Sequence, residues 1–89
     1  MSTDSLKDRS GVYTIECKRE GKYYTIDAGE SHGVKSRVEN HDRKDCWKKY
    51  CKNGTITYTA YYTPNLQQAG RKKIEQEIRS EYNPDCGKE

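Results

Sequence analysis

Residues 11–30, GVYTIECKREGKYYTIDAGE, predict the element from which the rest of the chain can be placed. Residues 12–17 and residues 23–28 are two runs rich in β-forming side chains, and Arg19-Glu20-Gly21-Lys22 between them offers a turn. Two such runs joined by a short glycine-containing turn are typical of an antiparallel hairpin. Gly29 follows the second run and ends the predicted strand.

A short amphipathic helix is predicted downstream of the hairpin. In residues 31–42, Val34 and Val38 are four positions apart, so a helix would turn both toward a core. Arg37 and His41, also four apart, would then project together from a neighbouring face of that helix.

A second short helix and a third strand are predicted next. Residues 44–52 can bring Trp47, Tyr50 and Cys51 together at helical spacing, and Asn53-Gly54 ends that helix. Residues 55–63 alternate in the manner of a strand. One face of that strand carries Ile56, Tyr58, Ala60 and Tyr62.

The last predicted element is a helix that opens at Thr63-Pro64, an N-cap residue followed by proline, and ends at Asn83-Pro84. Its apolar stripe runs at four-residue steps through Leu66, Gly70, Ile74, Ile78 and Tyr82. The element order is therefore β-β-α-α-β-α, which predicts an α/β (α+β) fold with a three-stranded antiparallel sheet flanked by helices. We expect residues 1–10 to form a flexible leader and residues 11–89 a single domain.

The composition predicts one small and unusual core. The chain has 89 residues and 10.4 kDa, enough for one domain, with no Phe and only ten Leu, Ile and Val residues. Its eight tyrosines would replace the missing aliphatic side chains, with Tyr58, Tyr62 and Tyr82 as packing residues. Seventeen basic and fourteen acidic side chains leave a net charge of only +3, so charge repulsion does not oppose folding.

Hydropathy and cysteine usage predict the cellular setting. No apolar window is long enough for a transmembrane helix, and the N-terminus lacks the apolar stretch of a secretory signal, so we expect a cytoplasmic protein without membrane contact. In that setting Cys17, Cys46, Cys51 and Cys86 would be reduced thiols. A zinc site built on Cys46 and Cys51 is the alternative, although their spacing is loose for one.

Several residues in the order of the chain resemble the GIY-YIG nuclease family, over residues 11–87. Taken singly, Tyr13 suits a sheet surface or core, and Arg37, His41 and Glu75 suit helix surfaces. Together they match a pattern. Gly11-Val12-Tyr13 stands for the first family motif and Asp27-Ala28-Gly29 for the second. The helix arginine is then Arg37, the His or Tyr position is His41, the metal-binding glutamate is Glu75, and the closing proline is Pro84.

Three positions depart from the family pattern. The tyrosine of the second motif is Asp27 when counted from Gly29, whereas counting forward from Tyr13 would select Tyr24. The asparagine expected three residues after the proline is Gly87, and the residue after Gly29 is Glu30, where some family members have lysine.

The resemblance implies hydrolysis of phosphodiester bonds with one divalent metal ion. Glu75 would hold Mg²⁺ or Mn²⁺, and Arg37 would bind a phosphate oxygen. Tyr13 would orient or deprotonate water with a pKa lowered by nearby cations, and His41 would polarise the water or assist proton transfer. Asp27 would act as a second metal ligand or as a base.

DNA is the partner that the resemblance implies, and enzymes of this kind serve DNA repair or recombination. Basic side chains that could follow phosphates occur in two segments, although acidic residues are mixed with them as on any soluble face. They include Lys44, Lys48, Lys49, Lys72 and Lys73. We expect recognition of DNA structure rather than sequence by a monomer or weak homodimer. The alternative is a nucleic-acid-binding or accessory module with impaired catalysis.

Overall fold

The computed structural model describes residues 3–87 and confirms the predicted element order and the three-stranded antiparallel sheet. The strands are β1 (Gly11–Arg19), β2 (Lys22–Ser31) and β3 (Thr55–Tyr62), and the helices are α1 (Val34–Glu39), α2 (Lys44–Tyr50) and α3 (Gln68–Tyr82). The first two residues of the predicted leader and the last two of the predicted domain lie outside this described range. No helix within it is long and apolar enough to cross a membrane.

Strand β1 is central, and β2 and β3 pair with it on either side. The register of the hairpin shifts between Ile15 and Glu16, so that Ile26 is an extra residue on β2. Beyond this bulge, Asp27 lies opposite Ile15, and Gly29 lies opposite Tyr13. Paired residues of an antiparallel ladder point to the same side of the sheet. The bulge therefore places Asp27 on the side of the sheet that carries the core.

The core lies between one face of the sheet and the two short helices. Trp47 of α2 is its largest fully buried side chain, and Val34 and Val38 of α1 pack beside it, as predicted. Tyr58 and Tyr62 of β3 are partly buried against this core, which confirms their packing role. Tyr82 is 56 % exposed, so the packing role predicted for it is wrong.

Residues 3–10 are packed against the domain, in contrast to the flexible leader expected from their polar sequence. Leu6 is buried in the core, and the backbone N–H of Lys7 donates to the Tyr62 hydroxyl at 2.7 Å. The carbonyls of Arg9 and Ser10 accept hydrogen bonds from the N–H groups of Val34 and Thr63. A single apolar residue and a few backbone hydrogen bonds produce no periodic pattern in the sequence. The sequence pattern therefore did not predict that residues 3–10 pack against the domain.

Helix α3 begins later than predicted. Thr63 is buried, its carbonyl closes a turn by accepting the N–H of Leu66, and its side-chain oxygen has no hydrogen-bond partner within residues 3–87. It therefore does not cap a helix. Regular helix starts at Gln68, after an extended Gln67.

Ion pairs attach α3 to the sheet together with a partly buried apolar stripe. Helix α3 packs mainly on β2, and its only buried residue is Arg71, whose Nε donates to Glu30 Oε2 at 2.9 Å. Ile74 and Ile78 are half-buried, whereas Leu66 is exposed. Glu30, one of the departures from the family pattern, thus serves to dock the last helix on the sheet.

Two disulfides replace the reduced thiols expected from the sequence. Cys17 of β1 is bonded to Cys51, and Cys46 of α2 is bonded to Cys86. The pairs are 34 and 40 residues apart in the chain, so no local spacing revealed them. The zinc alternative is also wrong, because Cys46 and Cys51 are engaged in different disulfides.

Candidate functional site

The two resemblance motifs meet face to face in the β1–β2 ladder. Tyr13 and Gly29 are paired, and the Tyr13 ring lies directly on the glycine: a Cβ atom on Gly29 would be 2.2 Å from Oη and 2.4 Å from Cζ. No side chain larger than hydrogen fits there without moving the ring. The glycine of the second motif is therefore required by the tyrosine of the first.

The Tyr13 hydroxyl is bound to His41, 28 residues further along the chain, with 2.8 Å between Oη and Nε2. The other ring nitrogen, Nδ1, accepts the backbone N–H of Arg43 at 3.1 Å. A neutral imidazole that accepts at Nδ1 carries its proton on Nε2. His41 therefore donates to Tyr13, and the carboxylate of Asp42, 3.3 Å from Nδ1, faces a nitrogen without a proton.

The pKa values of Tyr13 and His41 are both shifted away from the neutral range that suits general acid–base catalysis. Burial raises the pKa of Tyr13 to about 12, against the opposing charge of Arg37. Burial, followed by the charges of Arg37 and Arg43, lowers the pKa of His41 to about 4. The expectation that cations lower the Tyr13 pKa is thus wrong, because loss of hydration outweighs them. Both groups are neutral at physiological pH.

Arg37 lies beside this pair at the end of α1. Its charge acts on both Tyr13 and His41. Its Nη2 donates to the exposed carboxylate of Asp42 at 3.3 Å, and the Arg37 side chain itself is 39 % exposed. Such an exposed pair is weak, so Arg37 can exchange Asp42 for a phosphate oxygen.

Asp27 is fully buried and is held by a network of donors. Arg43 binds it through Nε and Nη2 at 2.8 and 3.2 Å, Trp47 Nε1 donates at 2.7 Å, and Arg79 Nη2 donates at 2.8 Å. The backbone N–H of Ala28 adds a further bond of 2.8 Å. Burial by itself would raise the pKa of Asp27, but the hydrogen bonds from Arg43, Trp47 and Arg79 hold it below its usual value.

Asp27 therefore corrects one prediction about the site. A carboxylate with no exposed surface and with both oxygens engaged does not serve as a second metal ligand or as a base. Its position in the chain matches the second motif, but its chemistry is that of an anchor for two arginines.

Glu75 lies at the edge of an open pocket of about 470 Å³. The pocket is lined by Arg43, Glu75, Gln76, Arg79, Asn83, Pro84 and Gly87. Arg79, four residues from Glu75 on α3, donates from Nε to its Oε2 at 3.0 Å. Gly87 has a φ of 80°, and a Cβ atom there would be 2.7 Å from Arg79 Nη2. The glycine found in place of the family's asparagine thus leaves room for Arg79.

The pocket offers a metal ion one carboxylate, that of Glu75, beside two arginines. Residues 3–87 contain no group of three or more His, Cys, Asp and Glu side chains that could hold a metal. Mg²⁺, however, keeps several waters and often uses one carboxylate together with substrate phosphate. Arg79 competes for Glu75, but it is also held by Asp27, the Ala28 carbonyl and the Cys86 carbonyl. Arg79 would therefore keep hydrogen-bond partners if Glu75 turned away from it.

The predicted DNA-contacting lysines lie on two helices. Lys48 and Lys49 are exposed on α2, and Lys72 and Lys73 are exposed on α3. Lys44 is half-buried, and its Nζ donates to the carbonyl of Glu39. Four of the five are thus free to meet solvent, and Lys44 has a local structural contact.

Sequence reasoning grouped Arg43 with the basic residues that could follow phosphates, but it did not place Arg43, Arg79 or Trp47 around Asp27. The spacing of Glu75 and Arg79 at four residues was a usable signal for their ion pair. Nothing in the sequence links Arg43 or Trp47 to Asp27, since that contact depends on the β-bulge. Comparisons with protein-family models, curated proteins and solved structures found no match to the chain.

Proposed function

We propose that this chain is a GIY-YIG-type endonuclease domain that hydrolyses phosphodiester bonds in DNA. The observation that carries the proposal is the convergence of four motif residues. The sequence separates Tyr13, Gly29, Arg37 and His41 widely. In the fold, the tyrosine packs on the glycine, is hydrogen-bonded to the histidine and is close enough to the arginine to be affected by its charge. Packing of a generic small sheet does not require these four residues to meet.

The metal ion belongs to the proposal as well. Glu75 would hold Mg²⁺ or Mn²⁺, since it is the carboxylate at the open pocket. When bound, such an ion supplies Lewis-acid stabilisation of the charge on the leaving oxygen. The chain's own contribution there is to hold the Glu75 carboxylate partly exposed, at 23 %, and in contact with Arg79.

The remaining roles follow from protonation states. Tyr13 keeps its proton, so it would orient water by hydrogen bonding rather than act as a phenolate base. His41 would fix the tyrosine hydroxyl through its Nε2 proton. Arg37 would bind a non-bridging phosphate oxygen. Because Tyr13 is only 1 % exposed, the proposal requires that substrate binding open a path to its hydroxyl.

A second candidate is a DNA-binding module without turnover. The observation that favours it is that the candidate catalytic groups are buried or paired. Asp27 is buried among donors, Tyr13 and His41 are buried and uncharged, and Glu75 is paired with Arg79. Both candidates share DNA as the partner, and we retain structure-selective binding by a monomer or weak homodimer as part of the proposal.

The disulfides bear on where the domain works. Cytosolic proteins keep their thiols reduced, and stable disulfides belong mainly to oxidising compartments. We therefore propose a setting that maintains both disulfides, in place of the cytoplasmic location expected from the sequence.

Purified oxidised protein incubated with linear, nicked and branched DNA tests the function. The proposal expects cleavage in Mg²⁺ or Mn²⁺ and none in EDTA. Binding of the same DNA without EDTA-sensitive cleavage would select the binding module instead. Absence of both binding and cleavage would reject DNA as the partner.

A further inference from the structure

Arg43 is fixed in place by a buried partner yet retains donor capacity. It precedes the first turn of α2, and its Nε and Nη2 bind the two oxygens of Asp27. Its third nitrogen, Nη1, has no hydrogen-bond partner within residues 3–87, and the side chain is 30 % exposed. An arginine held at one edge of its guanidinium presents the remaining donors in a fixed direction.

Arg43 lines the pocket that also contains Glu75. Its charge also acts on both Tyr13 and His41, so Arg43 is near that pair as well as lining the pocket. Arg79 lines the same pocket, but all three of its nitrogens are engaged, by Glu75, the Cys86 carbonyl and Asp27. With the Ala28 carbonyl as a further acceptor, Arg79 uses four of its five N–H groups, whereas Arg43 uses two, so Arg43 has more donors available to a ligand.

We propose that Arg43 is a second phosphate-binding arginine of this site and that Asp27 is the residue that positions it. The ligand is a phosphodiester group of the DNA, so the inference rests on the proposed function and deepens it. Asp27 and Glu75 balance the charges of Arg43 and Arg79, so what suits an anionic group here is the set of directed donors that Arg43 keeps free. Within residues 3–87 the Arg37 side chain hydrogen-bonds only to the exposed Asp42, whereas Arg43 is preorganised by the buried Asp27.

Binding without turnover tests this proposal. A short fluorescein-labelled DNA duplex is titrated with oxidised protein in EDTA, and anisotropy is followed at several salt concentrations. We expect Arg43→Gln to weaken binding about tenfold and to reduce the slope of log K against log salt by about one. Lys22→Gln removes the same charge from the distant hairpin turn and should stay within about twofold of the parent. Equal affinity of Arg43→Gln and the parent would overturn the proposal.

A measurement on the unmodified protein covers the case in which Arg43→Gln does not fold. In ¹⁵N-labelled parent, the Nε–Hε signal of Arg43 should shift when unlabelled duplex is added, and that of Arg79 should stay nearly in place. A shift at Arg79 with none at Arg43 would reject the assignment.

The outcomes separate this inference from the proposed function. DNA binding that depends on Arg43, without cleavage in Mg²⁺, would reject the nuclease and keep the phosphate contact. Cleavage by the parent with the same kcat and KM in Arg43→Gln would keep the nuclease and reject the contact.

Discussion

Asp27 of β2 and Arg79 of α3, 52 residues apart in the chain, are joined by a hydrogen bond of 2.8 Å between a buried carboxylate oxygen and Nη2. Eight residues earlier on the same helix, Arg71 is joined to Glu30 of the same strand. Helix α3 is thus attached to the sheet edge by two arginines that reach two acidic residues. The chain has few aliphatic residues, and the apolar stripe of α3 is only partly buried. These two ion pairs therefore add to the contacts that hold α3 on the sheet.

Replacement of Asp27 should therefore be costly. Asp27→Asn leaves Arg43 and Arg79 without their shared anion, and breaking a buried ion pair costs about 3–5 kcal/mol of unfolding free energy. Urea denaturation of the oxidised protein measures this loss. Asp42→Asn is the matched control, because Asp42 is 76 % exposed and its pair with Arg37 should contribute less than about 1 kcal/mol. Equal stability of the two variants would show that Asp27 is not an anchor.

Gly29 should tolerate no side chain. Gly29→Ala places a Cβ atom 2.2 Å from the Tyr13 hydroxyl, so the ring or the β1–β2 ladder must shift, at a cost of about 1–3 kcal/mol. The control is Gly70→Ala in α3, where the atoms nearest the new Cβ belong to the exposed Leu66 side chain, from 3.3 Å, and where alanine favours helix by up to about 1 kcal/mol. Thermal unfolding should move in opposite directions for the two variants. A Gly29→Ala protein as stable as the parent would contradict the close contact.

His41 should make stability depend on pH between 6.5 and about 4. Its pKa falls from 6.5 to about 4 on folding, so the unfolded chain binds the proton first. Its contribution is fully present above pH 6.5 and is lost as pH falls toward 4, by on the order of 3 kcal/mol. Asp27, whose pKa is lowered from 3.8, acts only below that window.

The pH effect is measured by urea denaturation across the window, with NMR titration of the imidazole. His41→Gln should remove this slope, whereas His32→Gln, at an exposed position, should keep it. A His41 that titrates near 6.5 in the folded protein would refute the burial argument.

The sequence was informative where contacts are local or periodic. Alternation and four-residue spacing predicted all six elements, and the order of Tyr13, Gly29 and His41 anticipated a cluster that the structure contains. The bulge at Ile26, however, has no sequence signature, and it alone turns Asp27 inward. A carboxylate that looked like a catalytic substitute is consequently a buried anchor. Long-range pairing explains the other misses, since neither a disulfide nor an arginine reaching from another helix leaves a pattern.

Both disulfides should be intact in folded protein made under oxidising conditions. Peptide mapping without reductant should link Cys17 to Cys51 and Cys46 to Cys86. Closing loops of 34 and 40 residues contributes about 4 kcal/mol each in the chain-entropy view. Reduction by dithiothreitol should therefore lower the thermal midpoint strongly. Four reactive thiols in the native protein, with unchanged stability after reductant, would contradict this pairing.

Glu75 offers the sharpest separation of catalysis from binding. Glu75→Gln keeps an oxygen that can accept from Arg79 but removes the charge that a divalent cation needs, so metal-dependent cleavage should fall at least about a hundredfold. DNA affinity in EDTA should stay within about threefold, because the loss of one negative charge does not weaken phosphate contacts. Glu77→Gln, an exposed position two residues further along α3, removes the same charge and should cleave as the parent does. If Glu75→Gln cleaves at the parent's rate, Glu75 is not the metal ligand, and its contact with Arg79 is then its whole role in the fold.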